Sequence, residues 1–206
     1  AETTIENDIL FRLAEFCTHF FSLGISKLSV EILKFIIKII PKFPIFLEMI
    51  HQVNFLTLIS QIPPDAISQF SNKKDYFRNE CIVLDLLTNG LTEPIDQFLS
   101  FEKIFIYSKE IDDPVSIHHI LSLLSKFFPF MNNDQHFDLM DFYFSILNQP
   151  QDESLQSLLD FWESCDEQVL ASSFYTSEII SIAISHLTRR NKNSKTRTKL
   201  FRYFNH

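Results

Sequence analysis

Three amphipathic stripes follow one another between Asp113 and Cys165, and they set the terms for the whole chain. Ile117, Ile120, Leu121, Leu124 and Phe128 recur at three- and four-residue intervals, so they share one face of an α-helix. Asp113-Pro114 marks its start, with a carboxylate at the N-cap and proline at the first helical position. Met131-Asn132-Asn133-Asp134 interrupts the pattern and caps a second helix. That helix carries Phe137, Met140, Phe144 and Leu147, with Tyr143 and Ile146 beside them. Asn148-Gln149-Pro150-Gln151-Asp152 interrupts again, before a third stripe of Leu155, Leu158, Leu159, Trp162 and Cys165. Each helix has one apolar side, which must be hidden against neighbours.

The preceding residues repeat the pattern. Thr3-Thr4-Ile5-Glu6 has the spacing of a capping box. It opens a helix with Ile9, Leu13, Phe16 and Phe20 in line, ending near Gly24. Ser26 or Ser29 caps a second helix through Leu28, Ile32, Phe35, Ile36 and Ile39. Pro41-Lys42-Phe43-Pro44 breaks it. Ile45 to Ile59 is again helical in period, and Asp75 to Leu87 carries Phe77, Cys81 and Leu84 before Asn89-Gly90. Thr92-Glu93-Pro94 predicts the start of a helix through Ile95, Phe98, Leu99 and Ile106; Phe101 to Tyr107, the one β-like patch, fits inside it. A last helix runs from Thr176-Ser177-Glu178 through Ile179, Ile180, Ala183 and Leu187.

No other stretch alternates with a period of two. Only Gly24 and Gly90 are glycine in 206 residues, which excludes a tight-turned sheet protein and glycine-rich phosphate loops. Cys17, Cys81 and Cys165 are odd in number and form no C-x-x-C pair. Reduced thiols in an intracellular protein fit better than a disulfide framework or a zinc site. Ala1-Glu2-Thr3-Thr4 lacks both an initiator Met and the basic opening of a signal peptide, so a fragment or a processed chain is expected. The most apolar window, Val30 to Ile50, contains Lys34, Lys38, Lys42, Glu48, Pro41 and Pro44, so no membrane insertion is expected.

No pattern of reaction chemistry appears. His118-His119 point about 100° apart on a helix and cannot easily share a metal. Asp138, Asp141, Asp152 and Glu153 sit at helix surfaces and caps, Cys165 has no histidine at a recognisable spacing, and Trp162 keeps the register of its apolar stripe. No catalytic residue, metal ligand or cofactor is assigned, and no enzymatic activity is expected. The sharpest asymmetry is electrostatic. Arg189, Arg190, Lys192, Lys195, Arg197, Lys199 and Arg202 are 7 of the 18 basic residues, with no acid after Glu178. The tail is +7; the rest, with 11 basic and 26 acidic residues, is −15. These seven are the candidate contact for a polyanion or an acidic partner, set against a solvated connector.

Helix pairs predicted near Pro94, Asn133 and Thr176 lie about 40 residues apart, the period of HEAT and armadillo units. The expected fold is all-α: a HEAT/armadillo-like α-solenoid over residues 1–188, with a partly helical basic segment at 189–206. A compact helical bundle is the alternative.

One region, Phe137 to Leu147, the break Asn148 to Glu153, and Ser154 to Trp162 ending in Phe161-Trp162, resembles the importin-β superfamily of nuclear transport receptors. The resemblance implies protein binding without catalysis, Ran GTPase and cargo as partners, and a cytoplasmic and nuclear location. It transfers no binding residue to this chain. Two other readings stand beside it: an armadillo- or HEAT-type structural subunit of a cytoskeletal or other large assembly, and a helical protein that binds nucleic acid through its basic tail.

Overall fold

The computed structural model describes residues 2–89, 91, 94–111 and 113–147, and the regular structure among them is all helical. The chain divides into two compact units, Ala1–Ile111 and Asp112–His206. The first contains α1 (Glu2–Ser22), α2 (Ser26–Ile39), α3 (Ile45–Gln52), α4 (Phe55–Ser60), α5 (Pro64–Ser68), α6 (Lys73–Thr88) and α7 (Phe101–Glu110). The second contains α8 (Pro114–Phe127) and α9 (Asn133–Leu147).

The first unit is built around α6, which packs against α2, α4, α5 and α7. Phe77, Cys81 and Leu84, the predicted stripe, are all buried, but so are Tyr76, Asn79, Glu80, Val83, Asp85, Leu87 and Thr88. A helix enclosed this fully must find partners inside for its polar groups. Asn79 Nδ2 donates to the Asp75 carbonyl at 2.6 Å and Thr88 Oγ1 to the Leu84 carbonyl at 2.7 Å. Helices α6 and α7 run antiparallel: Lys73, near the start of α6, is 3.0 Å from Glu110 at the end of α7.

Helix α1 packs on α2, α3 and α4, and it does so with an unexpected face. Leu10, Ala14, Cys17 and Phe21 are buried. The predicted line, one residue away, stays outside: Ile9 and Phe16 are exposed, and Leu13 and Phe20 are half-covered. The buried line includes the small Ala14 and Cys17, which let neighbouring helices approach closely, and Phe21, whose ring meets those of Phe55 and Tyr76. Gly24 ends the helix as expected. Its φ of +68° is the left-handed conformation glycine adopts freely, and its N–H donates to the Phe21 carbonyl.

Four boundaries differ from the sequence expectation. Helix α1 begins at Glu2, so Thr3-Thr4-Ile5-Glu6 lies within the helix and Thr3 is not its cap. Ile45 to Ile59 is two helices, because Asn54 turns left-handed (φ 55°) between them; asparagine tolerates that region better than most residues. Neither Ser26 nor Ser29 caps α2: Ile25 stands at the N-cap, and Ser29 lies buried within the helix. Pro94 opens only one 3-10 turn, Ile95–Gln97. The helix proper begins at Phe101, where Ser100 Oγ accepts from the Lys103 N–H at 3.2 Å. The β-like patch Phe101 to Tyr107 is therefore helical, and the pair expected near Pro94 begins later.

In the second unit Asp113 caps α8 as predicted, its Oδ1 accepting from the Ser116 N–H at 3.1 Å. Ile117, Ile120, Leu121 and Leu124 are buried, joined by Leu123 and Phe127. The break before α9 holds a reciprocal cap: Asn132 Oδ1 accepts from the Gln135 N–H, and Gln135 Oε1 from the Asn132 N–H. On α9 the described buried side chains are Leu139, Phe142, Tyr143 and Ile146. The side chains of Phe128, Phe137, Met140, Asp141, Phe144 and Leu147 lie outside the description, as does everything predicted beyond Leu147.

Candidate functional site

Two arrangements in the first unit could carry function: a buried polar cluster and an exposed apolar line. The cluster joins α4, α6 and α7. Lys103 enters from the first turn of α7 and is almost wholly buried. Its Nζ donates to the Ile59 carbonyl at 2.7 Å and the Ser60 carbonyl at 3.2 Å, the last two of α4. These carbonyls have no partner within α4, so the ammonium both bonds them and balances the negative helix end. Nζ also lies 2.8 Å from Glu80 Oε1, a close ion contact; the directed hydrogen bonds go to the carbonyls. Glu80 Oε2 accepts from the Tyr107 hydroxyl at 2.5 Å.

Burial raises the Glu80 carboxyl above its ordinary range, while Lys103 and then the Tyr107 hydrogen bond draw it back down. Burial, reinforced by the Glu80 charge, pushes the Tyr107 phenol well up, so it stays protonated and keeps donating. The Tyr76 phenol is raised by burial and then by Glu80. Every described partner of the ammonium is a backbone carbonyl or a side chain of the same core. Chemically the cluster is a bolt: it fastens three helices.

Two atoms of this neighbourhood lack a hydrogen bond: Glu80 Oε1, held by its ion contact with Lys103 alone, and the Tyr76 hydroxyl. The Tyr76 hydroxyl is buried with no hydrogen-bond partner, whereas its ring is engaged by Phe21 and Phe70. Tyr76→Phe keeps the ring and removes the orphaned group. It is expected to stabilise the protein by about 1 kcal/mol, visible as a higher urea midpoint at unchanged slope.

Cys17 and Cys81 are buried thiols that form no disulfide. Burial pushes the Cys17 thiol up to about 11, away from the thiolate form that reacts. In a Cys165→Ser background, a thiol reagent at pH 8 is expected to label neither cysteine in the native protein and both in urea. Fast native labelling at Cys17 would contradict the packing of α1.

The exposed line runs along α1. Ile9, Phe16 and Leu23 are 60%, 54% and 51% exposed, and the half-covered Leu13 and Phe20 fall between them. The intervals alternate four and three, the spacing with which one helix receives another. The Phe16 and Phe20 rings lie 4.2 Å apart on this surface. Sequence periodicity identified Ile9, Leu13, Phe16 and Phe20 as a stripe; only the fold adds Leu23 and shows how far the line is left uncovered.

His118 is exposed and His119 half-buried beside the α8 stripe, as expected from their register, with ring centroids 5.5 Å apart. Among the described residues no group of three or more His, Cys, Asp or Glu side chains could hold a metal ion. No described helix is long and apolar enough to cross a membrane. Trp162, Cys165 and the basic residues Arg189, Arg190, Lys192, Lys195, Arg197, Lys199 and Arg202 lie outside the described residues, as does most of the stretch resembling importin-β proteins. No protein-family model, curated protein or solved structure matches the chain.

Proposed function

We propose that this chain is a non-catalytic helical scaffold that binds another protein. The observation that carries the reading is the line Ile9–Leu13–Phe16–Phe20 of α1, continued by Leu23 just past its end, with Ile9, Phe16 and Leu23 exposed. A surface of aligned large apolar groups costs free energy in water and gains it when a partner covers them. The alternating spacing favours an amphipathic helix as the covering element. The buried cluster adds support from the other side: the described titratable groups that converge in the core hold helices together. The antiparallel pair α6 and α7 is the kind of unit from which HEAT-like solenoids are stacked, and we extend the proposal to that architecture.

The test places a photo-crosslinking residue at position 16 of the full chain in an extract of the source cells. One discrete heterologous adduct is expected. Excess unmodified chain should compete it away, and a Phe16→Asp/Leu23→Asp chain of equal helicity should not. Adducts that do not compete, or that join only copies of this chain, would overturn the reading.

The sharper form, a segment of a nuclear transport receptor, is supported by the resemblance around Phe137 to Trp162. It requires binding to immobilised Ran loaded with a GTP analogue and little to Ran·GDP. Equal retention on both, or none, would remove the transport reading and leave the scaffold standing.

A further inference from the structure

We infer that the corner between α2 and α3 docks the protein onto an anionic lipid surface. The outer face of α2 carries Lys27, Lys34 and Lys38, and Lys42 follows in the corner. Glu31 is the one acid on that face; it forms an exposed ion pair with Lys34 at 2.9 Å. From Glu31 to Glu48 there is no other carboxylate, so residues 32–47 carry +3 while the remaining chain carries −11.

The corner also displays apolar groups. Phe43 is 49% exposed, Ile45 37% and Phe35 36%. Phe43 is held in place by a closed turn between Pro41 and Pro44: its N–H donates to the Ile39 carbonyl at 2.9 Å, and its carbonyl accepts from the Phe46 N–H at 2.8 Å. The Phe35 ring stands edge-on to Phe46, which is fully buried. The aromatic groups are thus braced at the surface by the core.

Lysines interleaved with exposed phenylalanine match a membrane interface, where phosphates meet the ammonium groups and the acyl boundary takes the rings. An acidic protein would satisfy the lysines alone and leave Phe43 and Ile45 in water. Outside this corner and the basic stretch at 189–202 the chain carries −18 (−8 less 3 less 7), so an anionic surface attracts the corner and repels the acidic remainder. The contact is superficial and needs no spanning segment. It is independent of the α1 line.

The experiment is cosedimentation of the full chain with vesicles of phosphatidylcholine containing one-third phosphatidylserine, beside vesicles of phosphatidylcholine alone. Preferential partition onto the anionic vesicles is expected. Lys34→Glu/Lys38→Glu/Lys42→Glu should weaken it at least about a hundredfold, each surface lysine contributing roughly a factor of five. Phe43→Ser should weaken it about fivefold through lost apolar burial. The milder Lys34→Gln/Lys38→Gln/Lys42→Gln should fall between, and the exposed control Lys74→Glu should bind as the unaltered chain does. All variants should keep the parent helicity, since the altered side chains lie at the surface. Equal binding to both vesicles, binding indifferent to the corner changes (as the basic stretch at 189–202 would give), or binding of poly-glutamate without binding of vesicles would each overturn the inference.

Discussion

Lys103→Met is expected to destabilise the protein by roughly 3–5 kcal/mol, because it strands a buried carboxylate and takes the ammonium from the Ile59 and Ser60 carbonyls, of which Ile59 keeps only the Ile62 N–H at 3.4 Å. The loss should depend on pH in a defined direction. Burial already raises the Glu80 carboxyl, and Lys103 is the largest influence drawing it back. Without Lys103 it rises further, so the fold then favours protonated Glu80. A carboxyl whose folded value lies above its unfolded value gives stability that is full below the unfolded value and fades as pH rises through the folded one. The deficit of Lys103→Met should therefore be smaller at pH 5 than at pH 8. Urea unfolding at the two pH values measures this. Adding Glu80→Leu should return most of the lost stability, since an apolar pair of similar volume replaces a broken ionic one. The Tyr107 hydroxyl would lack its acceptor and the Ile59 and Ser60 carbonyls the ammonium, so recovery should be incomplete. Simple addition of the two single losses would show that the groups do not interact.

The second large effect concerns the two faces of α1. Phe21→Ala is expected to cost about 3–5 kcal/mol, because its ring is buried between those of Phe55 and Tyr76 and the cavity cannot fully close. Phe16→Ala, five residues away on the same helix, should change stability by no more than about 0.5 kcal/mol. Thermal and urea melts of the two variants compare them directly. If Phe16→Ala were the damaging change, α1 would be turned by one residue relative to the structure, and the exposed line would be part of the core.

That choice of face shows where sequence reading stops. Helicity itself was legible over most of the described residues, the stretch from Pro94 to Ser100 being the main exception, because three- and four-residue spacing of apolar groups has few other causes. Local capping was legible where the donor and acceptor lie close in sequence: Asp113 before α8 and Gly24 after α1 stand where expected. On α1, however, Ile9–Leu13–Phe16–Phe20 and Leu10–Ala14–Cys17–Phe21 are adjacent apolar lines. Periodicity marks the larger side chains, whereas packing chose the line with the small ones. The break at Asn54 was invisible because its apolar neighbours keep a helical rhythm across a left-handed residue. Ser100 outcompeted Pro94 as a helix start for a similar reason: both carry a start signal, and only tertiary packing decides between them. The cluster of Glu80, Lys103 and Tyr107 could not be found by pattern at all. Its residues are separated in the chain, and Glu80 resembles any surface glutamate until α6 is seen to be enclosed.

Helix α4 has six residues, too few to persist alone in water, and the cation that finishes it lies 43 residues beyond Ser60. At about 5–20 residues per second, a ribosome completes α4 roughly 2–9 s before Lys103 is synthesised. The nascent chain must hold this segment unfinished, with Glu80 already made and still lacking its counter-charge, until α7 arrives to complete the assembly.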